Sequence, residues 1–179
     1  NKIVNRAAEY DQNAAFPIEN YRDMYDAGLM GICIPKEYGG HGADLRCYAV
    51  VAAEIGRYCG STALTWNMHV CSCLWSGALV DDLITDEADR QRHRMNRAVH
   101  YRRILDDGAI YAQPFSEGGA AAAGKAAFGT TALKVDGGWR VNGKKIFASL
   151  AGSADYYGIL CTELQSLDER ASRGNTLYL

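Results

Sequence analysis

The chain has 179 residues, 48% of them hydrophobic and 22% charged, a composition that suits one or one and a half soluble globular domains. A net charge of −2 supplies no bulk electrostatic attraction to nucleic acid or an anionic membrane. No apolar stretch reaches the ~18 residues of a membrane span and NKIVNRAAEY lacks an apolar signal-peptide core, so a cytoplasmic location is expected.

The first hundred or so residues read as helical. Phe16-Pro17 precedes IENYRDMYDAGLMG, where Ile18, Tyr21, Tyr25 and Leu29 recur at helical spacing and Gly28 and Gly31 stand where a helix ends. ICIPKEYGGHGADL, with Pro35, Gly39, Gly40 and Gly42, reads as a loop. LRCYAVVAAEIGRYC then places Leu45, Tyr48, Ala49, Ala52, Ile55 and Cys59 on one face. Gly60 is expected to break that helix, with Ser61 or Thr62 capping the next. ALTWNMHVCSCLWSGAL is apolar almost all round, which predicts a central helix with Trp66, Met68 and Trp75 in the core. DEADRQRHRMNRAV carries its acids first and its arginines later, in keeping with the helix dipole. The basic run from Arg90 to Arg103, including Arg92, Arg94, Arg97 and Arg102, has acidic flanks and almost no aromatic interleaving, so it reads as a solvated helix face.

At Asp107-Gly108 the pattern changes to short β-like runs: AIYAQPF, GTTALKVD, WRVNGKKIFAS, YYGILCTEL and a strand-like NTLYL. Asp136-Gly137-Gly138 predicts a hairpin turn and Asn142-Gly143 another turn. An open sheet with an apolar last strand predicts that the chain is a fragment. The six cysteines form no Cys-x-x-Cys pair and are expected reduced and buried. His69, Cys71 and Cys73 do not share one helix face, and no metal site is expected.

Gly119-Ala-Ala-Ala-Ala-Gly124-Lys125 has the G-x-x-x-x-G-K spacing of a phosphate-binding loop. Ala126 occupies the place of the hydroxyl that ligates magnesium. Strand alternation and a hairpin follow where a helix N-terminus should hold the phosphates. Two structural requirements therefore fail.

Three stretches, in order, resemble the acyl-CoA dehydrogenase family. They are GLMGICIPKEYGGHGADLRCYAVVAAEIGRYCGSTALTWNMH, AQPFSEGGAAAAG and WRVNGKKIFAS, similar to the family's Pro-x-x-Tyr-Gly-Gly-x-Gly, Ser/Thr-Glu and Asn-Gly-x-Lys-x-Trp-Ile-Thr/Ser segments. The resemblance implies an α+β flavoprotein: an N-terminal all-helical domain over residues 1–108, then an incomplete β-barrel-like middle domain over 109–179. The family's C-terminal four-helix domain would be absent from this chain. The implied activity is α,β-dehydrogenation of an acyl-CoA thioester within fatty acid metabolism. Hydride would pass to FAD, an electron-transfer acceptor would reoxidise it, and the protein would be a homodimer or homotetramer.

The same resemblance assigns cofactor contacts. Ser116 matches the Ser/Thr whose amide and hydroxyl reach the flavin ring, and Gln113 and Phe115 precede it on the strand. Phe147 stands where a Trp usually covers the flavin, followed by Ala148 and by Ser149 at the N5–O4 edge. Ala121 and Ala122 match the Gly-Ser of the loop near the thioester and the flavin phosphates. The family's catalytic Glu lies in the missing domain, so no catalytic residue is expected in this chain. Neither Glu117 nor Glu54 fills that role. Gly118 replaces the usual Pro, and alanines replace the loop's Gly-Ser-Asp. The competing readings are a flavin-dependent monooxygenase on the same fold, a phosphate-loop protein, and a helical interaction module without enzyme activity.

Overall fold

The structure is a computed structural model that describes residues 2–75, 78–118, 126–166, 169, 172 and 175–179, with backbone only for 75, 78 and 79. The predicted core position of Trp75 and the Gly119–Lys125 loop, with Ala121 and Ala122, lie outside the described side chains. The chain divides into two compact units. One comprises Asn1–Tyr111 with Gly152–Tyr156, the other Ala112–Ala151 with Tyr157–Leu179. Together they make an α+β chain.

The first unit holds helices α1 (Lys2–Asn13), α2 (Ile18–Asp26), α3 (Leu45–Gly56), α4 (Gly60–Trp75), α5 (Ala78–Asp81) and α6 (Glu87–Asp107), with a 3₁₀ turn at Lys36–Tyr38. Local chemistry sets several of these ends. Asp44 caps α3 by accepting from the Cys47 amide at 2.8 Å, and Asp86 caps α6 by accepting from the Asp89 amide at 2.9 Å. Gly108 closes α6 in a left-handed conformation, φ +69°, which glycine adopts without penalty. The capping expectation for α4 fails, because Gly60 is its first helical residue rather than a breaker. Thr62 instead turns inward and is buried, accepting from Asn20 Nδ2 and donating to Cys59 Sγ, both at 3.0 Å.

The core of this unit is built from Tyr21 and Met24 of α2, Met30, Ile32 and Ile34 of the following segment, Trp66, Val70 and Cys73 of α4, and Tyr101 and Ile104 of α6. Trp66 is buried as expected, its indole donating to the Leu29 carbonyl at 3.1 Å and stacking on Tyr48. The predicted apolar face of α3 is only partly covered. Ile55 and Cys59 are buried, but Leu45 and Ala49 are exposed. Two further expectations need correction. Arg97 is not on a solvated face: it is buried, paired with Asp81 (Nη2 to Oδ2, 2.9 Å), and its guanidinium lies over the Tyr38 ring. Burial works against its charge, yet the Asp81 and Tyr38 partners raise its pKa above the ordinary value. Cys47 is exposed, whereas Cys33, Cys59, Cys73 and Cys161 are buried; all six thiols are free.

The second unit centres on a four-stranded sheet in the order β3-β2-β5-β6, from β2 (Thr131–Val135), β3 (Gly138–Asn142), β5 (Leu160–Leu164) and β6 (Thr176–Tyr178). β1 (Tyr111–Ala112) and β4 (Tyr156–Tyr157) form a separate two-stranded ladder. β2 and β3 make the predicted hairpin, with Val135 opposite Gly138 and Gly137 at φ +78° in the turn. β2 runs parallel to β5, with Thr131 opposite Thr162, and β5 is antiparallel to β6. Two predicted strands are cut short. Only Tyr111–Ala112 of AIYAQPF is a strand, and WRVNGKKIFAS stops at Asn142. Gly143 follows, packed so closely that a Cβ there would lie 2.5 Å from Thr130 Cα. The chain then leaves the sheet through bends and turns as far as residue 153.

Among the described residues, no helix is long and apolar enough to cross a membrane, and no group of three or more His, Cys, Asp or Glu side chains could hold a metal ion.

Candidate functional site

Six of the eight expected cofactor-contact residues are described, and they fall on two segments of the second unit. Gln113, Phe115 and Ser116 lie on the irregular stretch after β1, and Phe147, Ala148 and Ser149 on a turn. The Ile146 amide donates to the Ser116 carbonyl at 2.8 Å, which joins the two segments. Neither Ser116 nor Ser149 is on a strand as the sequence suggests.

The turn is unusual in its backbone. Phe147 has φ +53° and Leu150 φ +74°, both in the left-handed region that side-chain-bearing residues avoid. The Ser149 amide donates to the Phe147 carbonyl and the Ala151 amide to the Ala148 carbonyl, tightening the turn. The two strained residues differ in what their side chains do. Leu150 is 5% exposed and anchors the turn in the unit, whereas Phe147 is 84% exposed and presents its ring outward.

The neighbouring side chains are fully engaged. Gln113 is buried and donates to Tyr178 Oη at 3.0 Å. Phe115 meets the Tyr178 ring edge-to-face at 6.2 Å. Gly158 makes room for this arrangement, since a Cβ there would sit 1.9 Å from the Tyr178 hydroxyl.

Beneath the turn lies a pair that the sequence did not single out. Lys145 Nζ meets Glu117 Oε1 at 2.7 Å, with the two side chains 8% and 10% exposed. The ammonium also donates to the carbonyls of Phe115 and Leu160 and lies 4.5 Å from the centroid of the Phe128 ring. The Glu117 carboxylate accepts in addition from the Gly129 amide at 2.6 Å and the Thr130 amide at 2.9 Å. Burial alone would raise the Glu117 pKa. The Lys145 ammonium and the two amides outweigh it and hold the value near about 2. Glu117 is a fixed anion with no proton to exchange at neutral pH. The sequence signal for the pair was the Glu of the Ser116-Glu117 match in one family-like segment and a Lys inside another, 28 residues apart.

The phosphate-loop spacing at 119–125 finds no support downstream. Residues 126–130 carry no helix, and the chain enters β2 at Thr131.

His69, placed by the sequence in a weak metal-like cluster, has a different task in the first unit. It is buried; its Nδ1 accepts from the Tyr111 amide and its Nε2 lies 3.0 Å from the Met30 carbonyl. An Nδ1 acceptor fixes the neutral tautomer with the proton on Nε2, donated to Met30. Burial pushes its pKa down to about 4, against the Met30 carbonyl, which favours the protonated ring.

Residues 1–87 match the acyl-CoA dehydrogenase N-terminal domain. The chain is 31% identical over 159 residues to the short-chain-specific acyl-CoA dehydrogenase of Clostridium acetobutylicum, covering 89% of this chain and 39% of that one. Among solved structures, KijD3 in complex with FMN and a dTDP-linked sugar aligns with a TM-score of 0.75 at 27% identity, covering 93% of this chain and 38% of that one. The dibenzothiophene monooxygenase of Paenibacillus sp. A11-2 shares the fold, with a TM-score of 0.67 at 18% identity over 95% of this chain and 38% of its own. The chain spans about two fifths of the length of these relatives. The N-terminal match and the curated relatives together support placing the chain in the acyl-CoA dehydrogenase family.

Proposed function

We propose that the full-length protein is an FAD-dependent acyl-CoA dehydrogenase that removes hydrogens from Cα and Cβ of an acyl thioester. The observation that carries this reading is Phe147, an outward-facing aromatic ring on a strained turn beside Ser149 and bonded through Ile146 to Ser116. Those residues fit a flavin: a π-face to cover one side of the ring, and serine and amide donors for its polar edge. Bound flavin supplies the two-electron acceptor. Phe147 excludes water from one face, and Ser116 and Ser149 orient the ring by hydrogen bonding. Glu117 does not act as the α-proton base, because its carboxylate is committed to Lys145 and two amides. A homodimer or homotetramer in the cytoplasm, with an electron-transfer protein as acceptor, completes the proposal.

A second reading is a monooxygenase that uses reduced flavin and oxygen. It draws on the fold shared with dibenzothiophene monooxygenase and on the replacement of the family's Gly-Ser loop residues by Ala121 and Ala122. KijD3, solved with FMN, makes the flavin type part of the same question.

The full-length protein, purified and kept anaerobic, separates the two. The expected result is a yellow protein that releases FAD on denaturation and whose flavin absorbance bleaches on adding acyl-CoA. Flavin that stays oxidised with acyl-CoA, but after chemical reduction consumes oxygen and oxygenates a product, decides for the monooxygenase. A folded, colourless protein that takes up no flavin removes both.

A further inference from the structure

The Lys145 ammonium has no N–H left for a ligand. An ammonium has three N–H donors. Lys145 directs them at the Phe115 carbonyl, the Leu160 carbonyl and Glu117, with its remaining face toward Phe128. Glu117 spends its oxygens on that ammonium and on the amides of Gly129 and Thr130. The pair ties four stretches of the second unit to one point: 115–117, 128–130, 145 and 160. One residue after Lys145, the Ile146 amide closes onto Ser116, and immediately beyond it stands the left-handed Phe147. The turn is thus clamped at its start by the pair and at its end by buried Leu150, and only the part between them reaches solvent.

From this we infer that Lys145 and Glu117 are positioning residues for flavin. They set the backbone from Phe147 to Ser149, and so fix the ring wall and the serine donor before the cofactor arrives. The inference rests on the flavin reading above. It differs in assigning affinity to a largely enclosed ion pair rather than to the residues that would face the cofactor. Preorganisation of this kind acts by removing the ordering cost of binding, and strained backbone persists only where its surroundings over-determine it.

The test measures flavin dissociation constants on the full-length protein by fluorescence, with the visible circular dichroism of the bound flavin as a second signal. Lys145→Met is expected to weaken binding at least ~10-fold and to reduce the induced dichroism. Phe147→Ala weakens binding by loss of the ring. In the double variant the two losses are expected not to add, because without the clamp the ring is no longer held in place. Since Lys145→Met leaves Glu117 buried without its cation, a second arm leaves the pair untouched. Phe147→Gly and Phe147→Ala both delete the ring, but only glycine frees the turn. Glycine is therefore expected to bind flavin several-fold more weakly, by roughly the preorganisation lost. Additive losses in the double variant, or equal affinities for Phe147→Gly and Phe147→Ala, overturn the positioning role while leaving the flavin reading intact. A wild-type protein that binds no flavin overturns both.

Discussion

The two units of this chain reach order by different means. The helical unit is held by packing, with Trp66, Tyr101, Met24, Met30, Ile34 and Ile104 fully enclosed and buried Asn20, Thr62, His69 and Arg97 each bonded to a partner. In the β unit, among the described residues, the fully buried apolar side chains are Ala112, Ala132 and Cys161, with Leu150 5% exposed. Two alanines and a cysteine supply little hydrophobic stabilisation. At its centre stands an ion pair, and at its surface a turn with two residues in left-handed backbone. A region that must present atoms in fixed places trades core volume for directional bonds, and it is this region that carries the candidate flavin contacts.

The difference is open to attack first in the helical unit. Trp66→Ala removes the largest buried side chain, its stack on Tyr48 and its bond to Leu29. A loss of roughly 3–5 kcal/mol is expected from urea denaturation followed by far-UV circular dichroism. A loss under about 1 kcal/mol means packing at α4 does not hold this unit.

Acid provides a second probe, because the units titrate in different windows. The folded pKa of His69, about 4, lies below its ordinary 6.5, so the unfolded chain binds the extra proton. His69 therefore contributes its stability fully above pH 6.5, and that contribution drains as pH falls from 6.5 toward 4. The total is on the order of 3 kcal/mol. Glu117 is likewise depressed, from 4.5 to about 2, so its contribution to the β unit persists above 4.5 and is lost between 4.5 and 2. On acidification the helical unit is expected to weaken first. Hydrogen exchange monitored by mass spectrometry at stepped pH would resolve the order. His69→Gln should flatten the upper window only. Simultaneous loss of protection in both units, or an unchanged upper window in His69→Gln, contradicts the assignment.

What could be read from the sequence was what is local. The Asp86 and Gly108 ends of α6 and the Asp136-Gly137 hairpin each depend on residues within a few positions of one another. The buried state of Trp66 was legible from its place in a strongly apolar helix, although that helix is not enclosed all round, since Leu64 is exposed. What escaped depends on partners distant in sequence. Arg97 looks like its exposed neighbours Arg92 and Arg94 until Asp81 and Tyr38 are placed beside it. Lys145 and Glu117 are ordinary residues until the sheet brings Gly129, Thr130 and Leu160 around them. The strand through WRVNGKKIFAS was over-extended because its alternation continues past Asn142, whereas the backbone at Gly143 is diverted by contact with Thr130. For the candidate site, the family resemblance named Ser116, Phe147 and Ser149, but the left-handed turn that carries Phe147 leaves no mark in residue type.

That turn also gives the smallest and most discriminating effects. Phe147 and Leu150 bear the same kind of strain and opposite burial, so glycine at each position should act in opposite directions. Left-handed backbone costs a side-chain-bearing residue roughly 1–2 kcal/mol, and glycine's extra freedom in the unfolded chain takes back about 0.5–1 kcal/mol. At Phe147 the exposed ring contributes little burial, so Phe147→Gly should raise the stability of the β unit, by up to about 1 kcal/mol. At Leu150 the same relief is outweighed by about 1.5–3 kcal/mol of lost burial, and Leu150→Gly should destabilise. Paired urea denaturation curves on the full-length apoprotein, read by the fluorescence of Trp139 on β3 with the other tryptophans replaced by Phe in a common background, decide the matter. If Phe147→Gly destabilises as much as Leu150→Gly, the Phe147 ring is packing rather than presentation. A gain at Phe147 accompanied by weaker flavin binding would show stability given up at one residue for the placement of a ring.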